Sequence, residues 1–331
     1  MSTLFTHFFN KINTISPLEH NFTEGLSFIA LMPKTLYFYG KMPENMSKNG
    51  SNQPSERPKT VAIVGSRHNT RYGEEVAYKL AYELGKRGVI IISGLAYGID
   101  SIGHRGCLDA GGITIAILGT RIDNIYPKKH LSLAKEILDK NGAIISEYAP
   151  RDLLEDAPLA PGEYIDKKSK KREINQRASF LYRNRIISGL SDIVVVVEAA
   201  ERSGSLNTAT HALSQGKEVF AVPGNITSPY SRGCNKLIGQ GAFPYTEPDD
   251  ILRVLFPDEY LKNYQKAKKC GLIGDTDVET TILKALSEGF RSGEKIMEKS
   301  NLPPEVFNQT ITMLEIKGRI RSLGMNNWGL S

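Results

Sequence analysis

Six short apolar runs restrict the fold of this chain more than any other feature. They are TVAIVG (60–65), VIIISG (89–94), ITIAILG (113–119), AIISE (143–147), IVVVV (193–197) and KEVFAV (217–222). Each is rich in β-branched residues and apolar nearly throughout, the pattern of strands covered on both faces of a parallel sheet. Between them lie segments of helical period. Residues 72–87 place Val76, Leu80, Ala81 and Leu84 on one face, and 99–112, 130–142 and 206–216 are further helical stretches, several closed by glycine. Strands alternating with helices predict an α/β fold built on a doubly wound, mostly parallel sheet.

The flanks follow other patterns. Residues 1–59 form an N-terminal segment in which only LYFY (36–39) reads as a strand, followed by a polar loop rich in Pro, Ser and Asn over 41–59. Residues 60–256 form the sheet domain, interrupted at 151–176 by a Pro-containing and then densely charged stretch that reads as a mobile basic loop. A linker is expected over 257–274. From 275 to 331 come three short helices, the last opened by Pro303 and Pro304, and then two short strands about Gly324-Met325-Asn326-Asn327. That order predicts a small winged-helix-like domain. Its third helix carries Glu305 and Glu315 against Lys317, a poor match to phosphates, although Arg319 and Arg321 stand on the hairpin.

At 331 residues, 40% hydrophobic and 24% charged, the chain has the composition of a soluble globular protein of two or three domains. Cys107, Cys234 and Cys270 are odd in number and widely spaced, with no zinc-ligand pattern, so reducing surroundings are the simplest setting. The first 30 residues lack the pattern of a secretory signal, and no stretch approaches the ~18 apolar residues that span a membrane. The expected location is the cytoplasm. The net charge of +6 suits a polyanionic partner without demanding one, but its distribution is uneven. Residues 167–185 hold eight Lys or Arg and a single acid, Glu173.

That basic stretch leads into the IVVVV strand and interleaves Arg177, Arg183 and Arg185 with Phe180 and Tyr182. Guanidinium planes beside aromatic faces suit a single-stranded nucleic acid; the same pattern also fits an amphipathic helix with surface arginines. Ligands of open parallel sheets bind beyond the carboxyl ends of the strands. There the chain places Gly65-Ser66-Arg67, Ser93-Gly94, Gly119-Thr120 and, after Glu198, Ser203-Gly204-Ser205 ahead of a helix start. Small residues, hydroxyls and an arginine on one rim describe an anion site. The first turn reads GSRHNTRYG, which matches neither the dinucleotide fingerprint nor a P-loop. Asp100 and Glu198 are strand-end carboxylates that fit either acid–base chemistry or plain structural duty, such as a helix cap or an orienter of Arg67. His104 lies one helical turn after Asp100, within pairing reach.

Taken together, VAIVGSR (61–67), SGLAYGIDSIGHRGCL (93–108), TIAILGTRIDNIYP (114–127), ISEY (145–148), FLYRNRIISGLSDIVVVVEA (180–199), SGSLNTATHAL (203–213), VFAVPG (219–224) and GCNKLIGQGA (233–242) resemble, in order, the DNA-processing protein family DprA, also called Smf. The resemblance implies an extended Rossmann-like fold that binds single-stranded DNA without sequence preference and dimerises through that domain. It also implies protection of incoming strands in natural transformation and their transfer to the RecA recombinase, with no catalytic activity and no cofactor. By position, Ser66 and Arg67 would hold phosphates, Phe180 would stack on a base, and Arg183 and Arg185 would line the groove. Gly94 and Gly204 would shape the pocket, and Gly65, Arg177, Asn184 and Ser205 complete the expected DNA-binding set. The chain departs from the family in three places. The helical domain usual ahead of the sheet is reduced or missing, Tyr97 stands where a basic residue is frequent, and 159–178 is longer and more basic. An enzyme of the nucleotide phosphoribohydrolase type, on a related sheet, is the alternative; it would put a 5′-phosphate at Ser203–Ser205 and Glu198 near the sugar, but SGSLNTA replaces its PGGxGT signature.

Overall fold

A computed structural model describes residues 11–44, 57–169, 171–257 and 274–331. The chain divides into two compact units, with the division between Ile251 and Leu252. Most of the linker expected at 257–274, much of the polar loop at 41–59, and Cys270 lie outside the described residues.

Among its described residues the first unit contains eleven strands: β1 (Asn13–Ile15), β2 (Leu36–Gly40), β3 (Thr60–Val64), β4 (Ile90–Ser93), β5 (Thr114–Leu118), β6 (Ala143–Ser146), β7 (Glu163–Ile165), β8 (Arg172–Ile174), β9 (Ile193–Val196), β10 (Glu218–Ala221) and β11 (Phe243–Pro244). Nine of them form one sheet in the order β1-β2-β6-β5-β4-β3-β9-β10-β11. From β6 to β11 every pairing is parallel, with Val61 opposite Ile193 and Val64 opposite Val196 at its centre. The chain winds outward from β3 through β4, β5 and β6, then returns to place β9 on the other side of β3. The order therefore reverses between β3 and β9, and there the connections diverge and leave a crevice.

The helices of this unit are α1 (Arg71–Lys86), α2 (Ile99–Asp109), α3 (Leu131–Asp139), α4 (Gln176–Leu190), α5 (Gly204–Ser214) and α6 (Arg232–Gly239), with α7 (Pro248–Leu255) at the division between the units. Strand residues alternate between two cores. Ala62, Val64, Ile92, Ile117 and Val194 pack with Ile186, Ile187 and Leu190 of α4 and Ala209 and Ala212 of α5. Ala116, Leu118 and Ile144 pack with Leu108 of α2 and Leu133, Ala134 and Ile137 of α3. All of β3, β4, β5, β6 and β9 is buried, as their uninterrupted apolar sequences require.

Two expectations are corrected here. The N-terminal segment is not separate from the sheet: β2 pairs antiparallel with β6 and carries β1 beyond it, while Phe22, Leu26 and Ile29 enter the α4 core. A side chain at Gly189 of α4 would meet Leu26 Cδ2 at 2.8 Å, so the fit of that segment needs glycine. The stretch at 151–176 is not a loop throughout: β7 and β8 form an antiparallel hairpin. Its root is a buried ionic cluster, in which the Glu163 side chain is fully enclosed between Arg121, at 3.0 Å, and Arg172. Arg172 also donates to the carbonyls of Leu154 and Ala157, at 2.9 and 2.7 Å. Isolated charges cannot be buried cheaply, so Glu163 and Arg172 hold the hairpin to the body only as a set.

The second unit holds α8 (Asp277–Ser287), α9 (Gly293–Ser300), α10 (Pro304–Ile316) and the hairpin β12 (Ile320–Gly324) with β13 (Asn327–Leu330). Ile282, Leu286, Ile296, Phe307, Ile311, Leu314 and Ile320 form its core, the winged-helix arrangement expected. Among the described residues no helix is long and apolar enough to cross a membrane.

Candidate nucleic-acid interface

An open cleft of about 670 Å³ lies at the carboxyl ends of β3 and β9, where the strand order reverses. Three segments form most of its wall, Gly65–His68 after β3, one face of α4, and Arg202–Ser205 leading into α5, with Ala96 and Asp100 beyond β4 and Tyr126 beyond β5 completing it. The helix α4 starts where it does because the Asn175 side chain accepts from the Ala178 N–H at 3.2 Å, a standard N-cap. Arg177, Phe180 and Asn184 then fall three and four residues apart, on one helical face, and that face fronts the cleft.

Phe180 is the centre of this wall. Its half-buried ring lies with the Arg67 guanidinium 5.3 Å from its centroid, that of Arg183 at 5.8 Å, and the Tyr126 ring at 5.7 Å. Against it stands Gly119, where a Cβ would come within 2.6 Å of the ring, so this glycine is what lets the aromatic approach the end of β5 so closely. A cation over a ring contributes roughly 0.5–1 kcal/mol when exposed and about 2 when desolvated. The Arg183 contact belongs to the second kind, since that side chain is only 4% exposed.

Arg183 lines the cleft from within. It donates to the carbonyls of Gly94, at 2.9 Å, and Ile117, and its Nε reaches the Asn184 side chain at 3.2 Å. Burial pushes its pKa down to about 10, against the opposing pull of Asp100, so it remains a cation at neutral pH. Gly94 is absent from the cleft wall; its role is to make room for Arg183, whose Nη1 would lie 2.4 Å from a Cβ there. Gly65 similarly admits Ile99 of α2, at 2.7 Å from a Cβ. Gly204 differs. It is exposed, and a Cβ would meet nothing within 4 Å, so the space before it is open cleft. Ser205 is buried, its hydroxyl 2.8 Å from that of Ser203, which caps α5. Asn184 joins the walls by donating to the Gly204 carbonyl, at 3.2 Å, and to Asn207, at 3.3 Å. Ser66 is half-exposed and accepts from the His68 N–H at 3.1 Å.

Arg185 does not line the groove. It is 2% exposed, pairs with Glu147 at 2.7 Å, and donates to the carbonyls of Leu31 and Tyr182. Helical geometry separates it from Arg183 by about 200°, so the two cannot share a face. Burial pushes the Glu147 carboxyl up, and the Arg185 charge opposes the shift.

The carboxylates have structural partners. Glu198 accepts from the Thr70 N–H at 2.8 Å and its hydroxyl at 2.6 Å, at the start of α1, and lies outside the cleft wall. Asp100 accepts from the Gly94 N–H at 3.1 Å; burial raises its pKa, with Arg183 acting against the shift. His104 pairs with Thr114 at 2.6 Å rather than with Asp100. The expected association of these two along the helix fails because His104 points into the sheet.

The cleft also presents residues that sequence reading passed over: His68, Tyr126, Arg202 and Asn207. Arg202 carried the available signal, since it follows a strand end directly. Among the described residues Arg67, Arg177 and Arg202 are exposed and form no close ion pair, and Asp100, which feels the Arg67 and Arg183 charges, is the one acid on the wall, which leaves the cleft cationic. Tyr97 lies outside the wall, edge-on to His130 at 5.0 Å.

Such a surface combines ring faces, uncompensated guanidiniums and a helix N-terminus, a set suited to a polyanion carrying flat groups. Comparison with known proteins agrees. The family model for DNA recombination-mediator protein A matches residues 13–256, and that for the DprA winged helix domain matches 271–324. Protein Smf of Escherichia coli is 46% identical over 195 residues, spanning 59% of this chain but 46% of that protein. The DNA processing protein DprA of Bacillus subtilis is 37% identical over 236 residues, 70% of this chain and 72% of that protein. Among solved structures, DprA of Streptococcus pneumoniae aligns with a TM-score of 0.56 at 33% identity over 75% of each chain. DNA processing protein A of Helicobacter pylori, studied for its single-stranded DNA binding mode, aligns at 0.57 and 28% identity over 76% of this chain and 98% of that one.

Proposed function

The chain belongs to the DNA recombination-mediator protein A family, and from that premise we propose that its cleft holds a single strand of DNA without reading its sequence. The observation that carries this reading is the Phe180 ring, with two guanidiniums 5.3 and 5.8 Å from its centroid at the reversal of the strand order. A base stacks on the ring once Arg67, the exposed partner, swings to a neighbouring phosphate; Arg183 stays behind as a fixed cation. Arg177 and Arg202 take further phosphates. Sequence independence follows from the lining. Guanidiniums read phosphates and rings read base faces, while the Asn184 and Asn207 amides are bonded to one another.

Binding rather than catalysis is supported by the engagement of Glu198 at the start of α1, outside the cleft wall, and by the bond from the Gly94 N–H that fixes the Asp100 carboxyl beside Arg183 at the back of the cleft. The wider role proposed is that of the family: protection of incoming strands in transformation and their transfer to the RecA recombinase, in the cytoplasm, by a homodimer formed through the Rossmann-like unit.

Fluorescence anisotropy with a labelled oligothymidylate tests the cleft. Arg67→Ala and Phe180→Ala each weaken binding, the second by about 5- to 150-fold if one stacked base contributes roughly 1–3 kcal/mol, with unchanged circular dichroism. Undiminished affinity in both variants would remove the assignment.

A further inference from the structure

The β7–β8 hairpin is a charged feature that the cleft does not account for. It springs from the N-terminus of α4, where Asn175 both receives the hairpin and caps the helix whose next residues, Gln176 and Arg177, line the cleft. Its tip carries Lys167, Lys168 and Lys171, all exposed and, among the described residues, without an acidic partner. The three nearby acids are already engaged. Glu163 is enclosed in the root; Asp166 closes the turn, accepting from the Lys168 and Ser169 N–H groups at 3.1 and 2.7 Å; Glu173 accepts from the Tyr164 hydroxyl at 2.9 Å. A charge run on a merely solvated face needs no such anchoring. Here a buried ionic root orients a tip on which the three described lysines outnumber Asp166 and Glu173 and form no ion pair with them, with the half-exposed Tyr164 ring beside them.

We propose that this tip is a second phosphate-contacting site that extends the single-strand track beyond the cleft. The inference rests on the single-strand reading of the cleft and adds a length to it. Asn175 lies four positions after Lys171, and at about 3.3 Å per step that carries the tip up to about 13 Å from the start of α4. A strand leaving the cleft along α4 meets Tyr164 as a stacking face and the three lysines as phosphate partners.

The test compares full-length wild type with the Lys167→Ser, Lys168→Ser, Lys171→Ser triple variant on labelled oligothymidylates of about 6 and about 20 nucleotides. Each phosphate contact to a single strand contributes about 0.7 to the slope of log K against log salt, so the variant loses about 2 from its slope on the long strand and nothing on the short one. Between about 50 and 200 mM salt the wild type then loses about 20-fold more affinity than the variant. The matching triple Lys→Arg variant, which keeps the charge, retains the wild-type slope. Equal slopes for wild type and Ser variant on the long strand, with Arg67→Ala still impaired, would overturn the hairpin site and leave the cleft standing. A slope loss seen only with duplex DNA would also overturn it. Absence of single-strand binding by the wild type would remove both.

Discussion

Arg185→Ala separates the structure's account of α4 from the account a linear reading suggests. Arg185 and Glu147 are 3% and 7% exposed in their side chains and lie 2.7 Å apart. Removing the guanidinium strands a carboxylate in the interior and leaves the Leu31 and Tyr182 carbonyls short of a donor. Breaking such a pair costs about 3–5 kcal/mol. With a urea m-value near 3 kcal/mol/M, the upper range for small proteins, the unfolding midpoint falls by about 1–1.7 M. The assay is urea unfolding followed by far-ultraviolet circular dichroism, alongside single-strand anisotropy under native conditions. Stability falls while affinity per folded molecule holds. Glu147 supplies an internal check through pH. Its folded pKa is already raised, and without Arg185 it rises further. A carboxyl with a raised folded pKa binds more protons in the native state, so its penalty is felt above the folded pKa and disappears below the unfolded one. The variant's deficit therefore narrows as pH is lowered through the folded pKa of Glu147. Replacing both partners, as Glu147→Leu with Arg185→Met, restores most of the loss. A variant of normal stability but reduced DNA affinity would refute this reasoning and return Arg185 to the groove.

Two further outcomes follow from buried contacts. Gly94→Ala sets a methyl group 2.4 Å from the Arg183 guanidinium, which has no room to yield; the expected cost is about 1–3 kcal/mol, read as a lower urea midpoint, and an unchanged midpoint would refute the close fit. His104 is fully buried and its pKa is driven down to about 3 by burial, with the charges of His130 and Arg183 adding to the shift. The unfolded chain therefore takes up a proton that the native state refuses, so stability falls as pH drops from about 6.5 toward 3. His104→Gln flattens that part of the stability–pH profile, and an unaltered profile would show that His104 titrates normally.

Much of the fold was legible because it is written locally. Runs such as TVAIVG and IVVVV suit no environment but a sheet covered twice, and the glycines and hydroxyls at their ends mark the rim where ligands bind. Phe180 and Arg67 were legible as site candidates for the same reason, since each belongs to a local pattern. The β7–β8 hairpin was not, because it depends on Arg121, which lies far from it in sequence and closes its ionic root. Arg183 and Arg185 show the limit most clearly. Their spacing alone says that they face different ways, but not which way is in. Glu147 lies 38 positions from Arg185, and Gly94 lies 89 from Arg183, so the burial of each arginine depends on partners that only the folded chain brings near.

By itself, then, the amino-acid order determined an α/β sheet, a cationic aromatic helix before its central strand, and a winged-helix tail, because helix and strand periods are short-range properties. Tertiary structure alone decided that β9 lies beside β3, opening the cleft between them, and that one arginine of α4 stands behind Phe180 while another bonds Glu147. Strand order and the burial of these two arginines are set by contacts between distant segments, and no local pattern encodes them.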